Sequence, residues 1–219
     1  MLPRGGKIVS EIEGSTSLHR RHRAGDRRDE ILDAVRDLAA EKGVSRLSVS
    51  EIAQRVGCTR SLFYHYYPDK QAALDAALDR VIDGFVEELE RWNASRTKGD
   101  IEGALDSIVQ IMKRLVLFEG KLPRSITGGN NGALQTEFVD RASARTARYI
   151  CDTTVRDFEK LHEVRIDHVY ETFYVLISGL ILFIRTHPDV PDDVLKDIAA
   201  STLHIEGFTA KYAERRPAR

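Results

Sequence analysis

The stretch Val49-Ser-Glu-Ile-Ala-Gln-Arg-Val-Gly-Cys-Thr-Arg-Ser-Leu-Phe-Tyr-His-Tyr-Tyr-Pro-Asp-Lys70 decides the fold, because it reads as two short helices joined by a glycine turn and closed by proline. Ser48 is a hydroxyl N-cap, so the first helix runs from there to about Arg55, with Ile52, Ala53 and Val56 at the spacing that faces a core. Gly57 makes the turn. Thr59 caps a second helix in which Leu62 and Phe63 pack inward while Arg60, Ser61, Tyr64 and His65 face outward. Pro68 stops that helix and Asp69 caps the next. This pattern is a helix-turn-helix, the shape that lays its second helix in a DNA major groove. Two ordinary core helices would have no need of the donors Arg60, Ser61, Tyr64, His65 and Lys70 on the outer face.

Upstream, Ile31, Leu32, Val35, Leu38 and Ala39 form one apolar stripe, which predicts a helix from about Arg27 to Lys42 stopped by Gly43. Residues 1–26 are polar and aperiodic and read as a disordered extension. Downstream, Leu74, Leu78, Val81, Ile82, Phe85 and Leu89 repeat at three and four, predicting a helix from Asp69 to about Arg91 that leaves the first unit and enters a second. That second unit is helical throughout. Ile101 to Leu115 marks one helix, Leu134 to Leu161 a long one, and Val194 to Tyr212 the last; Phe173 to Ile184 is apolar on nearly every face and must be covered on more than one side. Thr127-Gly-Gly-Asn-Asn-Gly132 is a loop. The fold class is therefore all-α, a three-helix domain at about 27–71 joined to a larger helical domain at about 72–214.

Composition is that of an ordinary globular chain, 42% apolar and 31% charged. Net charge is −1, unevenly placed: residues 1–71 hold 13 Lys/Arg against 10 Asp/Glu. The excess sits in His19-Arg-Arg-His-Arg-Ala-Gly-Asp-Arg-Arg28, which suits a phosphate backbone or a minor groove and equally a solvated tail. Two cysteines, Cys58 and Cys151, give no disulfide framework, which favours a reducing cytoplasm. The run Phe173–Ile184 falls short of the roughly 18 residues of a membrane span, so no membrane partner is expected. No phosphate loop, dinucleotide fingerprint or nucleophile elbow occurs, and the histidines lack metal-ligand spacing. No catalytic residue, metal or cofactor is expected. Cys58 reads as a small core residue.

From Ile31-Leu-Asp-Ala-Val through Glu41-Lys-Gly43 and Val49-x-x-Ile-Ala53 to Gly57-Cys-Thr-Arg-Ser-Leu-Phe-Tyr-His-Tyr-Tyr-Pro-Asp-Lys70 and Ala73-Leu74, the chain resembles the TetR/AcrR-type transcriptional regulators. The likeness covers about fifty residues, with Leu-Phe-Tyr-x-x-Tyr-Pro-x-Lys its specific part. Cys58 stands where the family usually has a branched aliphatic, Thr59 where Ser is frequent, and Tyr66-Tyr67 where His-Phe is common. The resemblance implies that Ser48, Ser50, Thr59, Tyr64, Tyr66 and Lys70 contact DNA phosphates and that Arg60 and Ser61 read bases, with His65 on the same face. Arg offers bidentate donors to guanine, so a guanine in each half-site is expected.

The resemblance further implies a homodimer on a pseudo-palindromic DNA operator, most often a repressor released by a small-molecule effector. The dimer contact is expected through residues about 167–187 and 192–212, with Ile181 and Ile184 facing the partner. The effector site is expected among Phe85, Leu89, Trp92, Ile108, Met112, Leu115, Phe138, Tyr149 and Tyr174, near the Thr127–Gly132 loop, for an apolar ligand. The competing readings are a ligand-independent DNA-binding protein and a helical protein-interaction module.

Overall fold

The computed structural model describes residues 16–117 and 132–209, and every regular element among them is helical. The first domain holds α1 (Thr16–Lys42), α2 (Val49–Val56) and α3 (Arg60–Tyr66), with a 3-10 turn at Val44–Arg46 between α1 and α2. Then follow α4 (Lys70–Ser95), α5 (Ile101–Leu117) and α6 (Gly132–Ile150), which continues through a π-helical stretch, Cys151–Val155, into the short α7 (Arg156–Glu159). Last come α8 (Val169–Thr186), α9 (Asp192–Thr202) and a 3-10 turn at Glu206–Phe208.

The predicted caps form. The Ser48, Thr59 and Asp69 side chains accept hydrogen bonds from the backbone N–H groups of Glu51, Leu62 and Ala72. Each satisfies a donor that a helix start leaves open. At the end of α2, Gly57 sits at φ 68°, ψ 37°, and the Cys58 N–H reaches the Ala53 carbonyl at 2.9 Å, a Schellman closure. That left-handed residue sets the angle at which α3 leaves α2. Around it, Ile31, Val35, Ile52 and Phe63 are fully buried with Leu38, Leu47, Tyr67 and Leu74, so α1 through the start of α4 share one core. Each such side chain contributes on the order of 1.5–3 kcal/mol.

α4 belongs to both domains. Ala73 and Leu74 close the first core, whereas Leu78, Val81 and Ile82 enter the second with Phe138, Ala142 and Ile150 of α6 and Ile177 and Ile181 of α8. Leu180 and Ile184 of α8 face a further cluster with Val109 and Leu195. The all-round apolar character of α8 thus comes from service to two cores at once. A ladder of charge runs between α4 and α6: Arg141 lies 3.3 Å from Asp79 and 3.9 Å from Asp75, and Arg145 pairs with Asp83. Lys196 of α9 bridges to Asp106 and Glu102 of α5.

Four expectations change. α1 begins at Thr16, within the segment read as a disordered extension; residues 1–15 lie outside the described residues, as does most of the Thr127–Gly132 loop. α8 reaches 18 residues and is the one described helix long and apolar enough to cross a membrane, but Ile177, Leu180, Ile181 and Ile184 are buried inside the protein. The last helix stops at Thr202 instead of running to Tyr212. His204 turns left-handed at φ 54° and the Ile205 N–H closes on the Ala200 carbonyl at 2.9 Å, the same closure that Gly57 makes but without glycine. Ile181 and Ile184 point into the protomer. On α8 and α9 the large apolar side chains left exposed are Val175 (67%), Leu182 (43%), Val194 (41%) and Ile198 (38%).

Candidate nucleic-acid interface and a cavity in the second domain

Outward positions of α3 follow directly from its inward ones. Phe63 is completely buried, its ring 6.0 Å from Tyr67 and 5.6 Å from Tyr64, which fixes the rotation of the helix. Arg60, Ser61, Tyr64 and His65 are consequently exposed, Tyr66 is half-buried with its ring centroid 5.2 Å from that of His65, and Lys70 follows at the start of α4. Ser50 is exposed at the start of α2. The structure therefore gathers Ser50, Arg60, Ser61, Tyr64, His65, Tyr66 and Lys70 around α3.

Ser48 and Thr59 lie at the same face with their hydroxyls engaged. Ser48 donates to Glu51 at 2.6 Å as well as capping α2, and Thr59 caps α3. Glu51 is held below the usual carboxylate range by Lys42 first and Ser48 second.

The neighbouring cations divide into two groups. Arg27 bonds Glu30 and the Val56 carbonyl, Arg28 lies against Tyr67, and Arg55 makes a two-pronged bond to Glu41 at 2.7 and 2.9 Å. Arg46, Arg60 and Lys70, by contrast, have no ion pair among the described residues. Cations serving only the fold would be spent like the first group; those facing an absent polyanion would look like the second. Arg46, in the 3-10 turn ahead of α2, was not singled out from sequence because nothing periodic marks it. Burial pushes the Cys58 and Cys151 thiols up, away from reactive thiolates.

In the second domain the helix ends line a half-open cavity of about 730 Å³. Its walls are the end of α4 with Trp92 and Arg96, and the start of α5 with Ile101, Leu105 and Ile108. The π-helical stretch and α7 add Thr154, Val155 and Phe158, and α8 adds Val169 and Phe173. The segments 161–166 and 203–208 complete its lining. A polar network stiffens one side: the Trp92 indole N–H donates to Ser107 Oγ at 2.9 Å, and Arg96 stacks over Trp92 at 5.6 Å. Arg96 also donates to Asn93 at 2.8 Å and Asp157 at 3.2 Å. Bonds from Lys160 first and Lys98 second hold Asp157 below its ordinary range. π-helical turns recur at functional sites, and here one forms the wall of the cavity.

Of the nine residues expected around an effector, Trp92 and Ile108 line this cavity. Phe138 is buried in the core that α6 shares with α4 and α8, and Phe85, Met112, Tyr149 and Tyr174 pack against it. The Tyr174 hydroxyl donates to Asp140 at 2.6 Å. Leu89 is buried on α4 and Leu115 half-buried on α5. Phe158 and Phe208 fall inside stretches that the sequence pattern reads as continuous helix and His162 just past one, so the pattern gives them as helix positions and not as cavity wall.

Residues 31–77, the stretch from the buried stripe of α1 through α3 into α4, match the family model of the bacterial regulatory proteins of the tetR family. The first domain is of the TetR/AcrR type. Among curated proteins it is similar to the nucleoid occlusion factor SlmA of Aliivibrio fischeri, 28% identical over 110 residues. That match takes in 48% of this chain, and the chain spans about half the length of such relatives, 54% for SlmA. Among solved structures it is similar to the fatty acid degradation regulator FadR from Bacillus halodurans, with a TM-score of 0.59 and 17% identity over 81% of this chain and 94% of that one. RolR in complex with resorcinol gives a TM-score of 0.55 at 19% identity, over 91% of this chain and 98% of that one. These likenesses extend the TetR-like fold beyond the matched domain to the helical second half.

Proposed function

We propose that this chain is a sequence-specific DNA-binding transcriptional regulator of the TetR/AcrR family, a cytoplasmic homodimer on a pseudo-palindromic operator, released from it when a small molecule fills the second-domain cavity. The observation that carries this reading is the face of α3. It presents Arg60, Ser61, Tyr64 and His65 to solvent behind a left-handed turn, with Arg46, Arg60 and Lys70 unpaired among the described residues while neighbouring arginines are spent within the fold. Arg60 and Ser61 read bases; Ser48, Ser50, Thr59, Tyr64, Tyr66 and Lys70, joined by His65 and Arg46, hold phosphates, Ser48 and Thr59 through the helix starts that they cap.

The dimer forms through α8 and α9, where Val175, Leu182, Val194 and Ile198 stay exposed on the protomer. A two-fold contact of two helices from each chain buries them and spaces the two α3 helices for successive major grooves. The effector site is the cavity, with Trp92 and Ile108 in its wall. RolR, whose fold this chain resembles, was solved with resorcinol, in keeping with a fold of this kind holding a small organic ligand. α4 links the sites: its first turn carries Lys70 and its last turns carry Trp92, with the Arg141 and Arg145 ladder to α6 between them. A ligand that shifts α6 against α4 changes how the two α3 helices are spaced.

The test is selection from random duplex DNA with the full chain at low salt. Enrichment of a pseudo-palindrome, with affinity falling steeply as salt rises, is expected. Retention of no duplex above a control protein would reject the reading.

A further inference from the structure

We propose that the cavity takes a hydrophobic cation, an apolar body carrying a protonated amine that pairs with Glu206. The inference rests on the reading of the cavity as an effector site and names the class of effector.

Most charged groups around the cavity are already engaged. Asp157 lies 3.2 Å from Arg96, 3.1 Å from Lys98 and 2.9 Å from Lys160, and Arg165 faces Glu163 at 3.9 Å. Asp100 accepts the Gly103 N–H at 2.9 Å, capping α5. Glu206 is different. It lines the cavity, its Oε2 is buried, and that oxygen accepts no hydrogen bond; no ion pair reaches the carboxylate among the described residues. A buried carboxylate oxygen without a donor is costly, so the wall at Glu206 lacks a partner that a ligand can bring.

The surroundings say which partner. Phe208, two residues on, joins Phe158 and His162 in a cluster with ring centroids 4.7 Å apart for His162 and Phe208, 4.9 Å for Phe158 and His162, and 6.1 Å for the two phenylalanines. Aromatic faces carry the negative side of a quadrupole and attract a cation. Trp92, Ile101, Leu105, Ile108 and Phe173 supply apolar wall for the remainder of the ligand. A carboxylate ligand would set like charges together at Glu206. A neutral alcohol would donate a hydrogen bond but leave the negative charge unbalanced, whereas an ammonium supplies both.

The experiment is calorimetry on the full chain with three probes of one shape, phenylbutylamine, phenylbutanol and phenylbutyrate, repeated with Glu206→Gln. Phenylbutylamine should bind roughly tenfold tighter than the alcohol, with phenylbutyrate weakest. In Glu206→Gln the advantage of the amine over the alcohol should disappear while the alcohol keeps its affinity. Phenylbutyrate binding as tightly as the amine to the unaltered chain, or an amine advantage undiminished in Glu206→Gln, would overturn the inference and leave the cavity as an effector site. Binding of none of the three would overturn the effector site as well. The ranking on the unaltered chain decides even where the variant is poorly folded.

Discussion

Gly57 and Gly84 offer the same empty space to a methyl group, yet alanine should have opposite effects at the two. A Cβ built on either glycine meets no atom within 4 Å, so packing contributes nothing to the difference. Gly57 sits at φ 68°, where a Cβ meets its own backbone, at a cost of roughly 1–2 kcal/mol. The narrower unfolded ensemble of alanine returns about 0.4–1 kcal/mol, leaving Gly57→Ala about 1 kcal/mol less stable. Gly84 lies in the interior of α4, where glycine is about 0.8–1.0 kcal/mol worse than alanine, so Gly84→Ala should stabilise by about that amount. Urea unfolding followed by circular dichroism reads the difference as midpoints moving in opposite directions, by about half a molar each for a slope near 2 kcal/mol per molar. Gly57→Val should fall further, since a branched side chain tolerates this region least. If Gly57→Ala raised the midpoint as Gly84→Ala does, the turn would not be left-handed and the presentation of α3 derived from it would be wrong.

Three further outcomes are expected. Arg60→Ala should relax preference among duplexes by roughly 1–3 kcal/mol per half-site, whereas Lys70→Ala and Arg46→Ala should weaken all duplexes alike and flatten the salt slope; fluorescence anisotropy on matched and mismatched duplexes separates the two patterns. Leu182→Asp or Ile198→Asp should give folded monomers in sedimentation, while Ile184→Asp, fully buried in the protomer, should cost stability outright; dimers persisting in both surface variants would place the interface elsewhere. Arg141→Met should cost under about 1 kcal/mol of stability, because its pairs with Asp79 and Asp75 are partly exposed, yet reduce the effect of ligand on DNA binding; an unchanged ligand effect would remove the α4–α6 ladder from the coupling.

The first domain was legible because each of its decisions is made locally. Ser48, Thr59, Asp69 and Gly57 announce helix ends by their own chemistry, and the stripes around Ile31, Ile52 and Phe63 have the helical period. In the second domain the periodic signal marks core. Phe85, Phe138, Tyr149 and Tyr174 recur at helical spacing because they pack helices together, whereas the cavity is assembled from the ends of α4 and α7 and from loops. The end of α9 was hidden for a related reason: His204 adopts a conformation that sequence announces only with glycine or asparagine. An all-apolar α8 likewise cannot say which face turns outward; Ile181 and Ile184 differ from Val175 and Leu182 only in what the tertiary fold places beside them.

The central claim, that cavity and α3 face belong to one switch, is tested most directly by measuring the four affinities of a linkage cycle. These are selected duplex with and without phenylbutylamine, and phenylbutylamine with and without duplex. The account predicts that the amine weakens duplex binding and that duplex weakens amine binding by the same factor, roughly 5- to 150-fold, since equilibrium coupling is reciprocal. Tight binding of both with all four affinities unchanged would contradict it, leaving a DNA-binding protein whose cavity does not communicate with DNA.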